Sequence, residues 1–407
     1  MRTEQGQPGQ PHRAAAAGDE TVPTDAFLRA CLRVALGLEP PDRLAALRAG
    51  TPLPMVRAAI AHGVAPLVHE ALTEASHEQL PLVRTGLYDA RRDALIRHLV
   101  VLRQAAAMAA VLTAAGVRFA VVKGPVLTEL AYGRPERRPY ADLDLLVHPQ
   151  DLRAALDSLG AAGWSMLDRN WVLARRQMRA ELSLVYGETV MLDLHWHLVN
   201  ERPRRAALNW HTADLLERTR TVDVGGVELP VLDPVDAMMH LALHATTSGL
   251  HRLQWPVDLF LWNREQRPDP GLLRERCAAA SLTLLVATAL DRTQRVLGVP
   301  GPSLPGGQAW RGLIRVLDRW RPPGRPPTEH LSWRALVSAT GTSDLDSLRT
   351  LSKVAVTDGV VGGVQRAWHA RHPRPLADNP LHAEGGGEPA REAYLAAVAQ
   401  EYAERSR

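Results

Sequence analysis

The chain has 407 residues, 46% of them apolar and 23% charged, with 48 basic against 44 acidic side chains. This is globular composition with length for two or three packed domains, and a net charge of +4 is too small to demand a nucleic-acid partner. Cys31 and Cys277 are too few and too far apart for a disulfide framework or a cysteine metal cage, and the longest apolar runs, such as 105–113, fall short of a membrane span.

Residues 1–24, rich in Gln, Gly, Pro, Ala and Thr, cannot bury a core and are expected to be disordered. Arg2 is followed by no apolar h-region, so secretion is not expected; the chain reads as a reduced, soluble, cytoplasmic protein. Phe27, Cys31, Val34 and Leu38 keep helical spacing until Pro40-Pro41-Asp42 breaks it. Short helices are predicted over 42–48, 54–62 and 65–74, and a long one over 80–115, ended by Gly116. A short strand over 117–122 then leads through Lys123-Gly124-Pro125, a sharp turn, into a helix ending near Tyr132-Gly133.

A strand over 142–147, a helix over 149–160, a strand pair over 181–186 and 189–197 and a hairpin over 222–229 complete a mixed α/β unit. Helices are predicted again over 234–247, 255–263, 271–280 and 283–296, with weaker ones at 333–339 and 344–354 beyond proline-rich breaks at 300–305 and 322–327. Residues 372–389 read as a flexible linker and 392–404 as an amphipathic helix. The expected organisation is a tail (1–24), a helical region (25–115), an α+β core (116–232), a second helical region (233–371), and a linker with terminal helix (372–407). Internal repeats, a Walker loop and a Rossmann glycine pattern are absent.

The sharpest chemical feature is Asp142-Leu143-Asp144 on a strand. Side chains two apart share a strand face, so the two carboxylates converge and repel unless a cation compensates them. Asp193, in the apolar strand Val190-Met191-Leu192-Asp193-Leu194, offers a third oxygen ligand. Three carboxylates from two strands suit Mg²⁺, and two such ions about 3.5–4 Å apart clamp the attacking and leaving oxygens of a phosphoryl transfer. Lys123-Gly124-Pro125 joins a strand to a helix N-terminus, where a phosphate is favoured; Gly124 permits close approach, and Lys123 is one of only two lysines, with Lys353. Arg137 and Arg138, just before the acidic strand, are further phosphate candidates.

Taken in order, Val122-Lys123-Gly124, Tyr132-Gly133, Arg138-Pro139-Tyr140-Ala141-Asp142-Leu143-Asp144-Leu145-Leu146-Val147 and Leu192-Asp193-Leu194-His195-Trp196 resemble the uncharacterised nucleotidyltransferase family of the DNA polymerase β-like superfamily. The resemblance covers about 116–200 and extends more loosely over 234–258. It implies a polymerase β-like α+β core flanked by helical regions, and Mg²⁺, in two ions with Mn²⁺ as a substitute. The implied reaction moves a nucleoside monophosphate from an NTP, ATP or GTP first, to an acceptor. By that resemblance Asp142, Asp144 and Asp193 are the metal-binding and catalytic residues, with Asp193 activating the acceptor hydroxyl. Lys123-Gly124 departs from the superfamily's usual Gly-Ser at the phosphate turn, so contacts made by that serine do not transfer.

Relatives of this kind occur beside natural-product genes, including those for ribosomally made peptides such as lasso peptides, which implies a hydroxyl or phosphate of a peptide or small molecule as acceptor. The alternatives are a tRNA- or protein-directed nucleotidyltransferase, toxin-like or AMPylating, and a catalytically silent protein that binds nucleotide or a partner. No membrane role is expected, and arginine-rich stretches without interleaved aromatics do not favour nucleic acid.

His195 and His197 share the strand face of Asp193; a pocket role is assigned to His195, with Lys123, Gly124 and Arg138 on the nucleotide, and a packing role to His197. His240 and His244 lie one helical turn apart. A metal-dependent phosphohydrolase is disfavoured because no adjacent His-Asp dyad exists, and a buried network of His244, Arg252 and Asp258 is expected instead.

Overall fold

The computed structural model describes residues 20–45, 47–49, 51–77, 81–187, 189–320, 337–356 and 379–405. In chain order the first elements are β1 (Glu20–Val22), α1 (Thr24–Ala35), β2 (Leu47–Ala49), α2 (Pro52–Ala61), α3 (Ala65–Glu74) and α4 (Pro81–Ala114). β1 pairs in parallel with β2. That corrects two expectations: the end of the supposed tail is a strand, and 42–48 is a single 3₁₀ turn (Pro41–Leu44) followed by strand, a segment too short to repay helix nucleation. Residues 1–19 lie outside the described residues.

The sheet unit follows: β3 (Phe119–Val121), α5 (Pro125–Leu127) with a π-turn over Thr128–Tyr132, β4 (Asp142–Val147), α6 (Leu152–Ala161), β5 (Trp164–Met166), α7 (Trp171–Gln177), β6 (Glu181–Tyr186), β7 (Val190–His195), α8 (Arg202–Ala206), α9 (Thr212–Glu217), β8 (Arg220–Val224) and β9 (Val227–Val231). These strands form one seven-stranded mixed sheet in the order β5-β6-β7-β4-β3-β9-β8. β4 runs parallel to β7 and antiparallel to β3. The remaining helices are α10 (Pro234–Thr247), α11 (Gln254–Gln266), α12 (Pro270–Ala279), α13 (Thr283–Leu297), α14 (Gln308–Trp320), α15 (Asp344–Val356) and α16 (Gly387–Arg405).

Period-2 alternation assigns the two sheet faces. Leu143, Leu145 and Val147 of β4, with Leu192 and Leu194 of β7, pack into one core with the C-terminal half of α4, α6 and α16. The opposite face, carrying Ala120, Val122 and Leu146, belongs to a second core shared by α1–α3 and α10–α13. The helical regions before and after the sheet, separate in sequence, thus bury one another. Asp142, Asp144, Asp193 and His195 alternate onto this second face, where α10 lies over them.

α4 joins the two cores, with Val83 and Leu87 in one and Val101, Leu102, Ala105, Met108, Ala109 and Leu112 in the other. By length and composition it is the one described helix that could cross a membrane. Its buried stripe at helical spacing instead makes it the helix against which the sheet packs.

One segment departs from the linker expectation: part of 372–389 is ordered by docking, where the Arg169 and Asn170 N–H groups donate to the Leu381 carbonyl at 2.8 and 2.9 Å, with Leu381 buried. Gln308–Trp320, between the two proline-rich breaks, is helical. Residues 333–336 and 372–378 lie outside the described residues. α16 is clamped onto the core: Arg205, fully buried, holds Glu401 at 2.7 Å, and Tyr394 Oη donates to the Arg179 carbonyl while accepting from Trp196 Nε1.

Candidate active site

β4 and β7 run side by side in a register that sets Asp144 directly opposite Asp193, with Asp142 one pleat earlier. β3 supplies the third piece, because Val122 N–H donates to the Asp144 carbonyl and carries the chain into Lys123 beside the acidic strand. Lys123 Nζ lies 2.8 Å from Asp144 Oδ1, with both side chains nearly buried. The cation that two converging carboxylates require is therefore provided by this lysine. Gly124 has φ +56°, and a Cβ there would stand 3.3 Å from the Asp142 carbonyl oxygen, so glycine is needed for the turn to lie against β4.

The carboxylates differ in character. Burial raises the Asp144 pKa, but Lys123 and His195 outweigh it and hold the group well below the usual carboxylate range. Asp142, with Asp144 beside it, is raised by burial and then by that charge. Asp193 is pushed up to about 6 by burial, Glu181 and Asp144. Ser183 Oγ donates to Asp193 Oδ1 at 2.9 Å, and the Ser183 N–H donates to Asp168 at 3.0 Å, so β6 fixes the third carboxylate. His195 Nε2 lies 3.5 Å from Asp144 Oδ1; burial lowers its pKa, and Asp144 and Glu181 more than reverse this.

Arg138 fills a buried position before β4, where it holds Asp258 of α11 through Nε at 2.8 Å and Nη2 at 3.0 Å. Tyr132 Oη donates to the same carboxylate at 2.6 Å. The expected His244–Arg252–Asp258 network is thereby corrected: Asp258 belongs to Arg138 and Tyr132, while Arg252 is exposed at a cavity wall. Arg137 is also tied down, bonding Glu70 and the Ala35 carbonyl. Arg138 Nη1, by contrast, is buried without a partner among the described residues.

Two cavities of about 340 and 350 Å³ meet at Lys123, Asp142 and Asp144 on the sheet side and at His244 of α10 and Ser248 just after it. They are the two lobes of one cleft. The first is lined by Gly124, Arg138, Tyr140, Arg252 and Trp255. The second is lined by Glu181, Asp193, His195, Asn200, Glu201 and Arg204, with His240 above them. Of the sequence-predicted site residues, Lys123, Gly124, Arg138, Asp142, Asp144, Asp193 and His195 thus border one cleft, and Arg137 does not. His197 does not; it accepts from Val199 N–H and meets the Trp210 carbonyl, the packing role expected for it.

The family described as uncharacterised nucleotidyltransferase has a sequence profile that matches residues 53–298, from α2 through α13. The chain belongs to this family. No curated protein matches the chain. The matched stretch contains both lobes of the cleft and the residues that join them. Sequence reasoning missed Glu181, Ser183, Arg204 and Trp255. Glu181 was within reach, since an antiparallel β6–β7 pair with a short turn sets it opposite His195.

The buried histidines give the fold a pH limit. His197, His240 and His244 are kept neutral, His240 at about 3, by burial first and then by Arg205 for His197 and Lys123 for the other two. Below the unfolded value near ~6.5 the unfolded chain binds protons that the native state refuses, so stability falls with pH by up to ~1.4 kcal/mol per histidine per unit. Asp193, raised to about 6, and Asp142, Asp168 and His195, also raised, act in the opposite sense, while His69, His98 and His148, lowered by burial, side with the other three histidines. The melting temperature is expected to drop steeply from pH 7 to pH 5 in differential scanning calorimetry; a flat profile would contradict this.

Proposed function

We propose that the protein transfers a nucleoside monophosphate from an NTP to a hydroxyl of a small-molecule or peptide acceptor, with pyrophosphate leaving, on a polymerase β-like core. The observation that carries this is the two-lobed cleft meeting at Asp142 and Asp144. Apart from the shared residues, the first lobe carries Arg138 and Arg252 against Asp258, and the second carries Glu181, Asp193 and Glu201 against Arg204. A triphosphate belongs in the more cationic lobe. The acidic second lobe favours a hydroxyl acceptor over a phosphate or a nucleic acid.

Asp142, Asp144 and Asp193 offer hard carboxylate oxygens of the kind Mg²⁺ takes, and the donor chemistry fits, although among the described residues no three such side chains yet surround one point. Mg²⁺ bound there supplies charge neutralisation for the transferring phosphoryl group. The chain's own residues do the rest. Arg138 Nη1 and Arg252 receive donor phosphate oxygens, and Trp255 and Tyr140 offer ring surface to the base. Ser183 engages Oδ1 of Asp193, leaving Oδ2 to accept the acceptor's hydroxyl proton.

Titrating the full chain calorimetrically with each of the four NTPs, in Mg²⁺ and again in EDTA, tests the reading. Magnesium-dependent binding of one NTP is expected; no binding of any NTP sinks it. Ser183→Ala is expected to lower kcat about tenfold with donor affinity unchanged, because a charge-assisted hydrogen bond to Asp193 is lost. An unchanged kcat in a pyrophosphate-release assay would remove Ser183 from the machinery.

A further inference from the structure

We propose that Lys123 occupies the seat of the divalent cation and is displaced from it by donor phosphate, so that metal and NTP enter this site together. The inference rests on the nucleotidyltransferase reading and adds an order of assembly to it.

Lys123 Nζ stands 2.8 Å from Asp144 Oδ1, on a side chain 14% exposed facing one 5% exposed. The acids that bear on it are Asp144 and then Asp142, the same pair that a cation at β4 needs. Burial works against the ammonium, and Arg138 repels it. A cation arriving at Asp144 must therefore expel a buried positive charge, or share one carboxylate with it.

The surroundings give that charge nowhere to go within the first lobe. Of its lining carboxylates, Asp142 and Asp144 are the contested pair, and Asp258 is already held in a two-pronged bond by Arg138 and capped by Tyr132. From α10, His240 and His244 face Lys123 as neutral rings and cannot accept its charge. The second lobe offers Glu181, Glu201 and Asp193, the last already engaged by Ser183, so a metal alone makes the ammonium give up its 2.8 Å partner at a nearly buried position, which is costly. Lys123 lines both lobes, so a short swing into the first brings it to a donor phosphate, a new anionic partner that frees Asp144. The two ligands then favour one another by a reciprocal coupling.

The test uses the folded full-length chain and Mn²⁺ as the metal probe, with free Mn²⁺ read by electron paramagnetic resonance. Without nucleotide, wild type is expected to bind Mn²⁺ weakly, and Lys123→Met at least about tenfold more tightly, because the competing charge is gone. Lys123→Arg, which keeps the charge, is expected to stay as weak as wild type, and Asp144→Asn in the Lys123→Met background to lose the gain. For a non-hydrolysable ATP or GTP analogue, Mn²⁺ is expected to strengthen binding to wild type much more than to Lys123→Met. Equal Mn²⁺ affinity in wild type and Lys123→Met, or tighter binding by wild type, overturns the proposal. That comparison needs no nucleotide, so its failure is separate from a failure to bind any NTP, which overturns the functional reading instead. Circular dichroism confirms that Lys123→Met is folded, and Lys123→Gln serves in its place if it is not.

Discussion

Asp142→Asn is expected to reduce nucleotidyl transfer by about 10³-fold or more while leaving the protein at least as stable as wild type. Asp144→Asn is expected to lose the activity and part of the fold together. The two carboxylates sit two residues apart on one strand, yet their surroundings are opposite. Among the described residues Asp142 takes no ion pair from another side chain, and it is raised by burial and by Asp144, so neutralising it relieves a repulsion. Asp144 is 3% exposed and is the ion-pair partner of Lys123. Removing its charge leaves the ammonium buried and unpaired, a loss of about 3–5 kcal/mol by comparison with other broken buried pairs. Pyrophosphate release and guanidinium denaturation, run on both variants, separate the two effects. An Asp142→Asn protein that retains a tenth of wild-type turnover would show that this carboxylate is not needed for the chemistry.

That asymmetry was not legible in the sequence, although the pair itself was. Strand period 2 placed Asp142 and Asp144 on one face, and the apolar alternation around Asp193 placed it on the neighbouring strand; the parallel register then brought Asp144 and Asp193 level. What could not be read is which cation meets which acid, since Lys123 reaches Asp144 only through the β3–β4 pairing. The Asp258 partner was misjudged for the same reason. Arg138 lies 120 positions away along the chain, and local spacing favoured Arg252 instead. Helix periodicity recovered α3, α4, α10 and α13 almost to the residue because each carries a long apolar stripe. It failed at β1, β2 and the Leu381 segment, where two or three residues pair or dock against distant partners and no periodic signal can accumulate.

The Arg138–Asp258 pair invites a sharper experiment than single truncation. Asp258→Ala leaves the Arg138 guanidinium, 6% exposed, without its carboxylate, and also removes the acceptor of Tyr132 Oη. The expected cost is about 3–5 kcal/mol, with the stretch between Gly133 and β4 loosened. The double variant Arg138→Met/Asp258→Leu replaces the pair by apolar groups of similar reach, and such exchanges are often neutral or stabilising, so most of that stability should return. Nucleotide binding should not return with it. Among the described residues Nη1 of Arg138 is buried and unpartnered at the wall of the first lobe, and the proposed function gives it a donor phosphate oxygen. Denaturation curves and NTP titrations on the single and double variants therefore divide the two roles of one side chain. If the double variant recovers both stability and donor affinity, Arg138 serves only to join α11 to the turn before β4, and the phosphate contact must be reassigned to Arg252.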